Sequence, residues 1–238
     1  MLHWLYPRVC ELCHRPGAEE LCPTCIAALP RVPLPICLYC GAPVSGELED
    51  PYRCRECQAR PRSFDFARSA LVSSPQTLHL VYRLKYHHAN YLAPVLGGLL
   101  QALWEDTPAL AAQENWCLVP VPAGIDHLFE RGYNQAEELA RALGKRLGLP
   151  IFTPLERRRT GVDSQTRLSA SDRWRNALAS YAALEPYAQG HLRLHSHVAL
   201  IDDVYTTGAT TRACARALKA LPGVKKVAVL TLLRATSR

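Results

Sequence analysis

Two constellations in the 238-residue chain have the residue types and spacing for chemistry. The first is a run of cysteines. Eight of the ten lie before residue 58, in four C-x-x-C pairs: Cys10/Cys13, Cys22/Cys25, Cys37/Cys40 and Cys54/Cys57. That spacing lets two thiolates of one tight turn face one metal ion, and two such turns close a tetrahedral four-sulfur site. Sequential and interleaved combinations of the pairs both satisfy the spacing. The segment holds Gly17, Gly41, Gly46 and many prolines but few large apolar residues, so a metal must supply its folding energy. Disulfides are the competing reading. The first residues, Met1 to Pro7, have neither a basic start nor a long apolar stretch, so the expected location is the cytoplasm, where disulfides are disfavoured. Four tandem pairs outside a βαβ pattern do not fit a thioredoxin-like redox motif. Structural zinc on all eight cysteines is the expectation. Cys117 and Cys214, in apolar or helical surroundings, read as ordinary buried residues.

The second constellation is the string Val198 to Thr211. A continuous apolar strand runs into two adjacent carboxylates, Asp202 and Asp203. A small, hydroxyl-rich turn with one glycine follows, and then a helix begins. Ligands of open α/β sheets bind at the carboxyl ends of strands. N–H groups at a helix start carry positive partial charge, and small residues let a phosphate approach them. The turn is not a P-loop, and no G-x-G-x-x-G occurs anywhere, so dinucleotide binding has no support. Two carboxylates beside a phosphate cradle must address something else, a sugar diol or a magnesium ion. The arrangement suits a phosphorylated ribose. The plainer reading is a capped helix behind an acidic strand end.

The elements that must position these residues alternate between strand and helix. Strands are expected at Phe64 to Val72, Cys117 to Val121, Ile151 to Leu155, His197 to Ile201 and Val227 to Leu233. Helices are expected from Pro75 to about Tyr86 with Ser74 as N-cap, Tyr91 to Trp104, Tyr133 to Leu147 and Thr210 to Leu221, with a further helical stretch at Leu168 to Ala177. Glu156 to Thr166 is polar, arginine-rich and aperiodic, and reads as a loop. Its Arg157-Arg158-Arg159 run is either a solvated charge run or a phosphate contact. The fold class implied is α/β, a mostly parallel, doubly wound sheet (residues 63–238) behind an N-terminal cysteine-rich zinc module (residues 1–62). Average apolar and charged fractions of 48% and 21% exclude wholesale disorder, and no apolar run is long enough to span a bilayer. Charge is uneven: 7 Lys+Arg against 8 Asp+Glu up to Phe66, a net of −1, then 21 against 13, a net of +8. The basic body suits a phosphate-bearing ligand or nucleic acid.

On the string from Val198 to Thr211 the chain resembles the type I phosphoribosyltransferases. It resembles most closely their ComF family, whose members similarly join a cysteine-rich zinc module to such a domain. Leu84-Lys85-Tyr86, Val119-Pro120-Val121-Pro122, Arg131-Gly132-Tyr133-Asn134-Gln135 and the Gln165-x-x-Leu168 to Arg173-x-x-Asn176 segment support the resemblance over nearly the whole chain. The resemblance implies roles residue by residue. Asp202 and Asp203 would hold the ribose hydroxyls of phosphoribosyl pyrophosphate, taken with magnesium. Thr206, Thr207, Gly208, Ala209 and Thr210 would hold the 5′-phosphate. Val121 and Pro122 would sit in the pyrophosphate loop, with Lys85 and Arg131 facing the pyrophosphate. The stretch from Arg157 to Arg167, including Arg159, would close over the reacting centre. The implied role is in natural competence, handling internalised single-stranded DNA in the cytoplasm alongside other competence proteins. No residue stands out as a reader of an acceptor base, so the enzyme reading, a magnesium-dependent phosphoribosyltransferase, has no named acceptor. The alternative is a non-catalytic nucleic-acid- or protein-binding module with a vestigial sugar-phosphate site.

Overall fold

A computed structural model describes residues 8–17, 19–44, 46, 52–158 and 180–235. The expected helix at Leu168 to Ala177 and Arg159 lie outside the described residues. The body is built on four parallel strands in the order β1-β6-β5-β2: β1 Phe66–Val72, β2 Trp116–Pro120, β5 His197–Tyr205 and β6 Lys226–Arg234. Register pairs Cys117 with Val198, Leu200 with Val229 and Phe66 with Ala228. A separate antiparallel pair joins β3 (Leu155–Arg157) to β4 (Tyr181–Ala183). Two short helices, α1 (Pro23–Ala28) and α2 (Arg55–Gln58), lie in the cysteine-rich part.

Four longer helices carry the body. Helix α3 (Pro75–Tyr86) starts as its sequence dictates. Ser74 Oγ accepts from the Thr77 N–H, Thr77 Oγ1 accepts from the Ser74 N–H, and Pro75 fills the first position, where no N–H is needed. Helix α4 (Ala93–Glu105) precedes the single turn α5 (Pro108–Ala111). Helix α6 (Ile125–Arg131) precedes α7 (Gln135–Leu147), which Asn134 caps at its start and Gly148, at φ +67°, closes. The single turn α8 (Glu185–Ala188) comes before β5, and α9 (Ala209–Lys219) follows it.

The apolar alternation of the strands feeds two cores, one on each sheet face. Leu118, Ala199, Ile201, Ala228 and Leu230 pack with α3, α4 and α7. Cys117, Val119, Val198, Leu200, Val227 and Val229 pack with Cys214 and Leu218 of α9. This is the doubly wound α/β class expected. The cysteine-rich part straddles edge strand β1. Cys10, Leu21 and Leu29 join the first core, while Cys37, Tyr39 and Cys57 join the second. It also bonds the edge itself: the Ala67 N–H donates to the Tyr39 carbonyl, and the Val72 N–H to Pro30.

Three elements differ from expectation. Strand β5 runs on to Tyr205, because its pairing with β6 continues through Asp202–Thr231 and Tyr205–Arg234. The expected strand Ile151 to Leu155 is reduced to one parallel bridge, Ile151 to Leu118, and β3 begins only at Leu155, after Pro154. Helix α6 was not expected. Two of its three large apolar residues, Ile125 and Phe129, face outward and only Leu128 is half-buried, so no clear amphipathic pattern marks it.

Helices α4 and α7 meet at Gly97, where an added Cβ would stand 2.6 Å from the Ala142 Cβ. At Gly98 it would meet only the far end of the Arg146 side chain, at 3.4 Å. Gly97→Ala is therefore expected to cost about 1–3 kcal/mol in urea unfolding. Gly98→Ala is expected to be neutral or stabilising, by up to about 1 kcal/mol.

Candidate binding cleft and metal centres

The sulfurs settle the pairing that spacing left open. Cys10, Cys13, Cys22 and Cys25 form one set, and Cys37, Cys40, Cys54 and Cys57 the other, with all ligand atoms of a set within 4.8 Å of one another. Pairing is sequential. A tetrahedron with zinc–sulfur bonds of about 2.3 Å has sulfur–sulfur edges of about 3.8 Å. Cys13 to Cys22 measures 3.8 Å and Cys40 to Cys54 3.7 Å, so the donor sets fit zinc. Each set also takes a backbone N–H onto a sulfur: Cys22 to Cys10 and Cys54 to Cys37, both 3.4 Å. Cys117 and Cys214 are fully buried, and burial pushes the Cys117 thiol up to about 11.

A cavity of about 310 Å³ opens at the carboxyl end of the parallel sheet. It brings together Asp202 and Asp203 of β5, Thr206 and Thr210 of the following turn and helix, Lys85 of α3, and Val121 and Pro122 after β2. The two acids share the cleft because the strand's alternation slips between them and its end. Ile201 and Val204 lie with the first core and Tyr205 with the second, although strict alternation would put Ile201 and Tyr205 on one face. Asp203 is buried, and its Oδ2 lies 2.8 Å from Lys85 Nζ. Asp202 Oδ1 accepts from the Asp203 N–H at 2.9 Å. Burial, and then the charge of Asp203, hold the Asp202 carboxyl well above the usual carboxylate range; Lys85 pulls the other way.

The turn leads directly into α9. Gly208 is its N-cap at φ +73°, and no side chain caps the helix. The first N–H groups of α9 thus lack a side-chain acceptor, the arrangement that suits an anionic ligand. Gly208 must be glycine twice over: its φ is left-handed, and a Cβ there would fall 2.2 Å from Tyr205 Oη. Gly208 itself is buried, and Thr207, Gly208 and Ala209 do not line the cavity.

Arg131 is placed differently from its expected role. It is buried at the end of α6, its guanidinium 4.9 Å from the Tyr86 ring centre, and it donates to Gln135 Oε1 at 3.0 Å. Gln135, not Arg131, lines the cavity. The Arg131-to-Gln135 motif ties the walls together. Gly132 ends α6 at φ +78°, the Tyr133 hydroxyl donates to the Leu84 carbonyl beside Lys85, and Asn134 Nδ2 donates to the Val121 carbonyl at 3.0 Å. His127 of α6 and Tyr181 of β4 line the cavity although nothing in the sequence singles them out, and Arg157, which begins the stretch that the resemblance sets over the reacting centre, is on the lining too. Arg157 lies against Gly124, where a Cβ would come within 2.9 Å of its Nη1, and 5.9 Å from the Tyr181 ring centre. Burial lifts the Tyr181 phenol to about 12. A larger cavity, 620 Å³, lies across the β1 edge by Leu34 and Thr107 and holds none of these groups.

The parallel α/β body, with an acid pair and a threonine turn at one strand's carboxyl end and a double four-cysteine module in front, defines a class of two-part protein. Residues 1–58 match the double zinc ribbon domain family. Over most of its length the chain is similar to three competence or DNA-utilization proteins. Competence protein F of Haemophilus influenzae is 28% identical over 207 residues, 84% of this chain and 85% of that protein. DNA utilization protein YhgH of Salmonella typhimurium is 29% identical over 216 residues, 89% of this chain and 91% of that one. Competence protein ComFC of Bacillus subtilis is 27% identical over 222 residues, 91% and 85% respectively. Similarity over most of the chain to proteins so named agrees with the resemblance carried by its motifs. Among the described residues no helix is long and apolar enough to cross a membrane.

Because its carboxyl is raised, Asp202 favours the folded state below the usual aspartate value, and that stability is lost as pH rises through its raised value. Asp202→Asn keeps an acceptor for the Asp203 N–H and removes the buried charge. It is expected to raise Tm at neutral pH by about 2–4 °C, the effect of ~1 kcal/mol in a chain of this size, and to flatten the pH dependence of Tm on the acid side. Thermal unfolding from weakly acid to neutral pH checks both.

Proposed function

We propose that the cleft binds phosphoribosyl pyrophosphate or a closely related sugar phosphate, and that the protein uses this site in competence, in the handling of internalised single-stranded DNA. One observation carries the reading: Asp202, Asp203, Lys85, Thr206 and Thr210 converge on one cavity at the carboxyl end of β5. The acids are suited to sugar hydroxyls. Thr206 and Thr210, on the lining at the uncapped start of α9, are suited to a terminal phosphate. Lys85 and Arg157 are the cations on the cleft lining that suit a pyrophosphate. Magnesium would accompany the pyrophosphate and neutralise part of its charge. If the sugar is transferred, Asp202 and Asp203 would also balance the positive charge that develops at its anomeric carbon. The DNA part of the reading rests on the names of the relatives and on the net of +8 after Phe66.

Calorimetry of the full chain with phosphoribosyl pyrophosphate, with and without magnesium, tests the site. Binding is expected with magnesium and is expected to weaken at least about tenfold in Asp202→Asn/Asp203→Asn, the loss of ~1.4 kcal/mol or more. No heat from the unaltered protein with magnesium sinks the proposal. Pyrophosphate release in the same mixture separates transfer from binding alone. For the second part, fluorescence anisotropy with a labelled single strand is expected to show affinity falling at least about tenfold between ~50 and ~200 mM salt. Absent or salt-independent binding refutes direct DNA contact.

A further inference from the structure

The two zinc sites are set in different surroundings. The first has Cys10 packed among leucines, including Leu21, Leu80 and Leu84. The second receives two buried arginines from the body. Arg212, in the first turns of α9, is 2% exposed; its Nη2 lies 3.8 Å from Cys57 Sγ and its Nη1 donates to the Pro61 carbonyl at 2.9 Å. Arg234, the last residue of β6, is 7% exposed; its Nη2 lies 3.6 Å from Cys40 Sγ and its Nη1 donates to the Cys40 carbonyl at 2.7 Å. Four thiolates around one zinc ion leave two negative charges; these two guanidiniums answer them, with Arg68 of β1 also close enough to feel Cys37 and Cys40. A charge this buried needs such partners.

The same two arginines hold the turn of the cleft. Arg212 belongs to the helix that the turn opens, and its backbone N–H makes the first helix bond, to the Gly208 carbonyl, at 3.0 Å. Arg234 stacks on Tyr205, its guanidinium 4.3 Å from the ring centre. The turn folds over that ring so tightly that Gly208 has no room for a Cβ. An aromatic chain closes the circuit: Tyr39, next to Cys40, stacks on Phe64 at 4.5 Å, and Phe64 meets the edge of Tyr205 at 6.4 Å. The guanidinium of Arg212 lies 5.1 Å from both the Tyr39 and the Phe64 ring centres. From the same side, Arg60 Nη1 donates to the Thr207 carbonyl at 3.4 Å.

We propose that the second zinc site positions the anion-binding turn. Arg212 and Arg234 are positioning residues that neutralise its thiolates and lock Tyr205 and Gly208, so that zinc at Cys37, Cys40, Cys54 and Cys57 and ligand at Thr206 to Thr210 favour one another. Among the described residues, zinc at the first site has no such link to the turn. The inference rests on the sugar-phosphate reading for the identity of the ligand, but not for the link between zinc and turn.

The test uses the full zinc-loaded chain with three readouts. Zinc transfer to a colorimetric chelator gives the release rate, hydrogen exchange gives the opening of residues 206–209, and calorimetry gives phosphoribosyl pyrophosphate binding with magnesium. Arg234→Met is expected to speed release of one of the two zinc ions by about tenfold or more and to raise exchange at 206–209, as loss of a contact behind a ligand does. Arg234→Lys, which keeps the charge, is expected to recover part of both. Cys25→Ser, in the first site, is expected to loosen the other ion and leave exchange at 206–209 unchanged. Coupling is reciprocal, so saturating ligand is expected to tighten zinc at the second site by the factor by which zinc tightens the ligand. The proposal is overturned if Arg234→Met releases zinc at the unaltered rate, if exchange at 206–209 stays unchanged when the second site is loosened, or if Cys25→Ser opens the turn equally. Should the unaltered protein bind no sugar phosphate, the ligand reading fails, while zinc release and exchange still decide the coupling.

Discussion

Lys85 reaching across to Asp203, at 2.8 Å, is the constraint around which the cleft is arranged. A buried carboxylate at the tip of a central strand is costly unless a cation answers it, and removing either partner would leave an uncompensated charge. The pair therefore ties the end of α3 to the end of β5. The backbone beside Lys85 is held again by Tyr133, and the loop after β2 by Asn134. Three walls contributed by distant stretches of chain are thus tied at their rims. In the short motif from Arg131 to Gln135, Tyr133 and Asn134 make this tie, while Asn134 and Gln135 also line the cavity.

Much of the architecture was legible in the sequence because it follows from periodicity and punctuation. Ser74-Pro75 marked the start of α3, Gly148 the end of α7, and the apolar runs at Cys117 to Val121 and Val227 to Leu233 placed strands with small errors at their ends. The C-x-x-C pairs announced metal. What stayed hidden depends on contacts remote in sequence. Spacing could not say that the pairs combine sequentially, since both combinations close a tetrahedron. Helix α6 turns its large side chains outward and so leaves no pattern.

The site was legible to a different depth. Asp202, Asp203, Thr206 and Thr210 could be singled out because strand, acids and turn are contiguous. Lys85, Val121 and Pro122 came from resemblance, and they meet those residues on one cavity. Arg131 had the right type, but only packing reveals it beneath Tyr86. Tyr181 and Arg157 enter through the β3–β4 pair; the stretch holding Tyr181 reads as extended, but its partner lies 24 or more positions away and the pairing leaves no local mark.

The cysteine-rich part does one thing more by lying astride β1. That strand is the rim of the sheet, and its outward amides at Ala67 and Val72 are satisfied by carbonyls of Tyr39 and Pro30. A rim without such cover is a template on which another chain can zip. Those carbonyls belong to the cysteine-rich part, so the cover of the edge and the folding of the metal sites come from the same stretch of chain. Metal and sheet edge thus meet in one seam, where Tyr39 and Pro30 carbonyls complete what the strand leaves open.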